Sequence, residues 1–360
     1  MPTSPPEAPE RRPRLTPAVA DARRAVRESL AELLEPARDA SSGPHVLVAL
    51  SGGPDSLALA AAVAFEAPRA GLRAGAAIID HGLQDGSAQV AARAAEQAAA
   101  LGLEPVVVRR VEVGAAGGPE AAARTARYTA LDAIADELGA VAVLLGHSRD
   151  DQAETVLLGL ARGSGTASLA GMAPVVGRYR RPVLGLRRAV LAAACADQGL
   201  EPWHDPHNDD AAFARVRVRS SILPLLEADL DAGVVDALAR TAEIAREDSE
   251  ALEEMVHEVA EELVELAEGG CSLPVAALLA NPPALRHRLI RLVADAEFGL
   301  SLSRTQTLEI ARLATEWHGQ GAVHGSGIRV ERTGARIVFR AALADNADPL
   351  ADPLADSPAD

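Results

Sequence analysis

Residues His45–Ser56 read HVLVALSGGPDS. The apolar run His45–Leu50 meeting Ser51-Gly52-Gly53 reads as a buried strand entering a tight turn. Pro54 suits the first position of a helix, where its missing N–H costs nothing. Glycines let the backbone approach a ligand, and the helix start offers amides and a positive dipole. Ser51 and Ser56 add hydroxyls. Asp55 would repel a bare phosphate, so it suits a magnesium ion bound to one. A plain Ser/Asp helix cap explains the same residues, and the motif alone does not decide between them.

The pattern continues outward from this loop. Apolar runs at Ala74–Ile79, Val106–Val113 and Val141–Leu145 alternate with helical stretches at Leu57–Phe65, Ser87–Leu101, Pro119–Leu138 and Asp150–Ala161. Such β-α alternation predicts a parallel, doubly wound sheet with helices on both faces. Helices are expected near Arg187–Gln198 and Arg215–Leu226, then as one or two long acidic helices over Leu230–Ala267. Two more are expected at Pro283–Phe298 and Ser303–Glu316, before short strands around Val323, Ile328–Arg332 and Arg336–Arg340. The division follows: a disordered arm and leading helix over residues 1–40, an α/β domain over 41–226, a mainly helical substrate-binding domain over 227–340, and an acidic disordered tail over 341–360.

The 360 residues carry a net charge of -16, and every one of the 35 basic side chains is Arg. A chain without Lys excludes a Walker-type phosphate loop and any Schiff-base chemistry on a chain amine. The acidity is concentrated. Glu227–Glu268 holds 15 Asp/Glu against two Arg, and Ala344–Asp360 holds five Asp and no base, so the remainder sums to +2. A polyanionic partner is therefore excluded only where the acids sit. Cys195 and Cys271 stand far apart with no Cys-x-x-Cys pair, against a disulfide framework or zinc knuckle. No apolar run reaches the roughly 18 residues of a membrane span, and Met1–Pro17 lacks a signal-peptide core. The expectation is a cytoplasmic protein without a membrane partner.

Two further polar clusters follow predicted strands: Asp80-His81-Gly82-Leu83, and Gly146-His147-Ser148-Arg149-Asp150-Asp151-Gln152. Ligand crevices of open α/β sheets lie at the carboxyl ends of strands, so three clusters there outweigh any one alone. Asp80 reads as a nucleotide-facing carboxylate or a plain turn. Asp150 and Asp151, with Glu154 one turn on, read as cation or amine ligands, or as acids favoured at a helix N-terminus.

Together the clusters resemble a known family. SGGPDS is similar to the SGGxDS loop of the PP-loop (N-type) ATP-pyrophosphatase superfamily. Within it, DHGL at Asp80–Leu83, AAARTARY at Ala121–Tyr128, GHSRDDQAETVLLGLARGSG at Gly146–Gly165, RPVLGLRR at Arg181–Arg188, WHDPHND at Trp203–Asp209 and FARVRVRSSILPLL at Phe213–Leu226 resemble the tRNA(Ile)-lysidine synthetases. Two positions depart from that pattern: His207 stands where Ser is usual, and Val216 where Asn is usual.

The resemblance implies the adenine-nucleotide alpha-hydrolase (PP-loop) fold and a reaction. ATP activates the C2 oxygen of the wobble cytidine in a CAU-anticodon tRNA(Ile), and free L-lysine displaces AMP to give lysidine. ATP and Mg2+ are the implied cofactors. Ser51, Gly52, Gly53, Pro54, Asp55 and Ser56 would hold the ATP phosphates, with Ile79, Asp80, Gly146 and His147 near the nucleotide. Arg124 and Arg127 would neutralise phosphate. Asp55, Asp150 and Asp151 would be the catalytic carboxylates, with Asp55 and Asp151 on magnesium. Arg188, Arg215, Arg217 and Arg219 would contact tRNA phosphates. A homodimer is left open. The alternatives are another PP-loop enzyme, such as a tRNA thiolase or ammonia-using synthetase, and a metal-dependent phosphoesterase using Asp80, His81, His147, Asp150 and Asp151.

Overall fold

The computed structural model describes residues 15–33, 46–82, 84, 86–114, 118–163, 165–206, 210–267, 269–325 and 327–342. The departure at His207, the amino-terminal arm and the acidic tail lie outside the described residues. The chain forms two compact units that divide between Arg246 and Glu247, beyond the boundary expected from composition.

In the first unit, α1 (Pro17–Ala31) precedes β1 (Val46–Ala49), α2 (Pro54–Glu66), β2 (Ala74–Asp80), α3 (Ser87–Ala100), β3 (Val106–Arg110), α4 (Pro119–Leu138), β4 (Ala142–Leu145) and α5 (Arg149–Ala161). A short α6 (Thr166–Leu169) leads to a hairpin of β5 (Val175–Val176) and β6 (Tyr179–Arg180), then α7 (Arg188–Asp197). The sheet order is β3-β2-β1-β4-β6-β5. All neighbours are parallel except the β5–β6 pair. β1 and β4 are buried at every residue because helices cover both faces. Val46, Val48, Leu57 and Leu191 pack on one face, and Leu47, Leu131 and Val143 on the other.

β1 lies between β2 and β4, with Ala49 level with Ala77 and Leu145. That register brings the loops after Ala49, Asp80 and Leu145 to one edge. It is the edge where the three polar clusters were expected to meet.

The unit continues through α8 (Ala214–Arg217), a π-turn at Val218–Ile222 and α9 (Leu223–Asp229) into α10 (Val234–Leu263), within which the units divide. In the second unit β7 (Glu265–Ala267) and β8 (Gly270–Pro274) precede α11 (Val275–Ala280), α12 (Pro283–Phe298) and α13 (Arg304–Thr315). Then come β9 (Val323–Gly325), β10 (Ile328–Thr333) and β11 (Arg336–Ala341). The sheet order β7-β8-β11-β10-β9 is antiparallel throughout. Its inner face packs Leu273, Val330, Ile337 and Phe339 against Leu278, Ile290 and Ile310 of the helices.

Candidate active site

The phosphate loop is fixed from within. Ser56 Oγ donates to the Gly53 carbonyl at 3.0 Å and accepts from the Ser51 amide at 3.2 Å. Ser51 Oγ lies 3.1 Å from Ser56 Oγ. Gly52 has φ 83°, a left-handed conformation that glycine adopts without steric cost. Gly53 caps α2 without any side-chain hydrogen bond, so first-turn amides of this helix remain for an anion. Gly146, from the loop after β4, comes so close that a Cβ there would sit 3.1 Å from Ser56 Cα and N. Two of the three clusters thus touch through backbone.

Beside the loop lies a cavity of about 220 Å³ whose walls include Ser51, Ile79, Asp80, His81, Arg127 and Trp203. Asp80 is buried and accepts from the Gly82 amide at 2.9 Å. Burial would raise its pKa, but bonds from Ser87 and Gly82 and the Arg110 charge outweigh that and hold it low. Arg127 has no carboxylate partner among the described residues. Its pKa is pushed down, first by burial, so an anion in the cavity would relieve it. Trp203 reaches this wall from a distant segment, its amide donating to the Gly52 carbonyl at 2.9 Å. Gln84 clasps the same segment through Asp205 at 2.8 Å.

One turn before Arg127, Arg124 stacks over the Tyr128 ring, 4.8 Å from the centroid. The two remain close enough for the Arg124 charge to add to the lowering of the Arg127 pKa, while the aromatic face holds the Arg124 guanidinium.

The third cluster is an ion network. Ser148 caps α5 and Asp151 closes the capping box: its Oδ2 accepts from Ser148 N at 2.8 Å and Ser148 Oγ at 2.7 Å. Its Oδ1 accepts from Arg188 Nη2 at 2.8 Å and Arg219 Nη2 at 3.3 Å. Asp150 accepts from the Arg188 backbone amide at 2.7 Å, and Arg187 Nε lies 3.4 Å from the same oxygen. The centre is Glu154, fully buried. It accepts from Arg219 Nε at 2.7 Å and Arg188 Nη2 at 3.2 Å, and pairs with Arg215 Nε at 3.4 Å.

Three of these arginines are the ones expected on tRNA phosphate. Arg188, Arg215 and Arg219 pair with these carboxylates, because fully buried Glu154 requires charge compensation, and Arg215 also donates to Thr155 Oγ1 at 2.9 Å. Arg217 is exposed, but donates to the carbonyls of Ala211 and Ala212 at 2.7 Å. Val216, the other departure, is buried.

Asp55 joins the first cluster to the third. Arg188 Nε lies 3.4 Å from its Oδ2, while its Oδ1 is buried with no hydrogen-bond partner. Burial pushes its pKa up to about 6, against the pull of Arg188. An orphaned carboxylate oxygen fits a cation, so Asp55 suits magnesium. Asp151 suits it less, because both its oxygens are already engaged. No three His, Cys, Asp or Glu among the described residues converge as a metal-ligand set, the arrangement that the phosphoesterase reading needed. His147 and His81 each bury an Nδ1 without a partner, and burial drives both pKa values down, which favours the neutral ring.

Comparison with known proteins agrees with this geometry. Residues 23–226 match the PP-loop domain family, and residues 273–347 match the TilS substrate binding domain. A Leifsonia xyli protein named tRNA(Ile)-lysidine synthase is 62% identical over 82% of this chain and 90% of its own length. One of the same name from Streptomyces coelicolor is 54% identical over 83% of this chain and 86% of its own. Among solved structures, a U34-tRNA thiolase from Methanococcus maripaludis superposes with a TM-score of 0.52 at 17% identity. The match covers 63% of this chain and 78% of that one, and shows a shared fold.

Proposed function

This chain belongs to the tRNA(Ile)-lysidine synthase family, and from that premise we propose how its residues carry the reaction. The chain is an AMP-forming carbon–nitrogen ligase acting on tRNA(Ile). The C2 oxygen of the wobble cytidine attacks the α-phosphorus of ATP, and pyrophosphate leaves. The amine of free L-lysine then attacks C2, loses a proton, and AMP departs with the former C2 oxygen. The product, lysidine, pairs with A, so the tRNA reads AUA.

The supporting observation is the juxtaposition of an uncapped phosphate loop, a cavity and a carboxylate network on one sheet edge. The loop Ser51–Ser56 holds phosphates through amides and hydroxyls. Arg127 supplies the charge that a Lys supplies in other phosphate loops. Ile79 and Asp80 face the adenosine. Asp55, with its unpartnered Oδ1, would hold a magnesium ion, which when bound would screen phosphate charge. Asp150, which has one oxygen engaged, attracts the lysine ammonium and accepts its proton, and Asp151 positions Arg188 and Arg219 beside it. Free lysine completes what a Lys-free chain lacks.

Nothing in this reading requires a membrane, and no helix of the described residues is long and apolar enough to cross one. We place the enzyme in the cytoplasm, where tRNA and free lysine occur together, with a homodimer open to measurement.

The test combines purified protein, ATP, Mg2+, labelled lysine and CAU-anticodon tRNA(Ile). The expected result is tRNA-bound label with one AMP and one pyrophosphate per lysine. Label without ATP, or none on this tRNA, overturns the proposal.

A further inference from the structure

Arg187 stands between two carboxylates, Asp150 in the first turn of α5 and Glu227 on α9. It caps α7 in extended backbone, so its side chain leaves just ahead of that helix. The carbonyl of Leu186 beside it accepts from the Arg149 amide at 2.7 Å, which pins this corner to the start of α5. Arg187 Nε then lies 3.4 Å from Asp150 Oδ2, and Nη2 donates to Glu227 Oε1 at 3.2 Å.

Those two nitrogens form one edge of the guanidinium. On a single carboxylate such an edge makes a two-bond fork, the strongest form of the pair. Here it is split between two acids. Glu227 takes the hydrogen bond, and Asp150 keeps a longer ion pair. The bond from the Arg188 amide and this ion pair both fall on Asp150 Oδ2, so Oδ1 has no bond to the chain among the described residues. Asp151 offers no such atom, since both its oxygens are bonded. A third acid also draws on Arg187. The pKa of Asp236 is lowered first by its hydrogen bond from Arg149, and the Arg187 charge adds to that.

We propose that Glu227 is a positioning residue for the amine step: it holds the Arg187 edge off Asp150 and leaves Asp150 Oδ1 open to the ammonium of the substrate lysine. The assignment rests on the role given to Asp150 above. Glu227 touches neither substrate nor reacting atoms and acts only through Arg187. Without the Glu227 charge the edge closes on Asp150 as a fork. A guanidinium fixed to the chain then competes with the free ammonium for one carboxylate. A tethered cation has the higher effective concentration, so the acid that restrains it sets the affinity for lysine.

The test is steady-state lysidine formation by the full-length chain, with ATP, Mg2+ and tRNA(Ile) saturating and lysine varied. Glu227→Gln should raise the KM for lysine about fivefold, with kcat and the KM for ATP within about twofold of wild type. Arg187→Gln should leave the KM for lysine at or below the wild-type value. In that background Glu227→Gln should change it by less than about twofold, because the residue it restrains is gone. A damaged fold would not confine its effect to lysine or make it depend on Arg187. An unchanged KM for lysine in Glu227→Gln overturns the assignment, and so does an equal rise in both backgrounds. A raised KM for lysine in Arg187→Gln overturns it as well, even if Glu227→Gln folds poorly. Asp150→Asn separates this from the reading beneath it. A wild-type KM for lysine in that variant removes Asp150 from the amine step, whereas a raised one beside an unaltered Glu227→Gln overturns the positioning role alone.

Discussion

Arg188 Nε stands 3.4 Å from Asp55 Oδ2, across 133 residues of chain, while the other oxygen of that carboxylate is buried and unbonded. Asp55 is thus half satisfied. Its neighbours fix its position without compensating its charge, and its pKa of about 6 records the shortfall.

Asp55 should therefore cost stability at neutral pH. Its folded-state pKa is raised, so its stabilising contribution is complete below about 3.8 and is lost as pH rises through about 6. Asp55→Asn should gain up to about 3 kcal/mol at pH 7, seen as a higher denaturation midpoint, with no gain below the ordinary carboxylate range. The same variant should lose turnover by about a hundredfold or more, since phosphate chemistry leans on charge at this point. A variant that is both more stable and inactive marks a residue kept for function; normal turnover removes Asp55 from the cation role.

Removing Glu154 should act in the opposite sense. Three guanidiniums, each about a quarter to a third exposed, converge on this fully buried carboxylate. Breaking one side of a buried ion network costs about 3–5 kcal/mol, reduced here because solvent partly screens the arginines. Glu154→Ala should cost about 2–3 kcal/mol in urea unfolding, and Glu154→Gln somewhat less. A loss under about 0.5 kcal/mol would mean that the arginines re-pair at no cost.

Gly146→Ala probes the contact between loops. A Cβ 3.1 Å from Ser56 Cα and N must displace backbone, because no flexible side chain is there to yield. The KM for ATP should rise about tenfold with the melting midpoint nearly unchanged. An unaltered KM would show that the phosphate loop tolerates movement.

His147 makes a pH prediction. Burial depresses its folded pKa below 6.5, so the unfolded state binds the extra proton first. Its contribution to stability is present above about 6.5 and is lost as pH falls. Asp55 runs the other way as pH falls, and the two partly cancel. His147→Asn should therefore be less acid-sensitive than the wild type between pH 7 and pH 5 in parallel denaturation series. Ring signals of His147 that titrate near pH 6.5 would contradict the buried neutral state.

The first sheet was legible because each central strand is a short apolar run ending in Gly or a polar cluster. Pro119–Leu138 was legible to the residue, since Pro opens it and Gly139 in a left-handed conformation closes it. The β5–β6 hairpin was not, because two residues per strand leave no period to read. β7 was hidden because Glu265–Ala267 continues an acidic helical stretch. The ion network was hidden differently. Composition reveals the sign of Arg188, Arg215 and Arg219, but not that Glu154, 34 to 65 residues away, is their partner. Charge is local in sequence and its neutralisation is not.

The position of β1 between β2 and β4 has a consequence for the growing chain on the ribosome. Val46–Ala49 acquires one neighbour when Ala74–Asp80 emerges, but waits for Ala142–Leu145 to acquire the other. Throughout that interval a wholly apolar strand presents unpaired amides and carbonyls along one side. Slow translation between the two segments lengthens the period in which nascent chains can pair with one another, so codon usage there bears directly on yield.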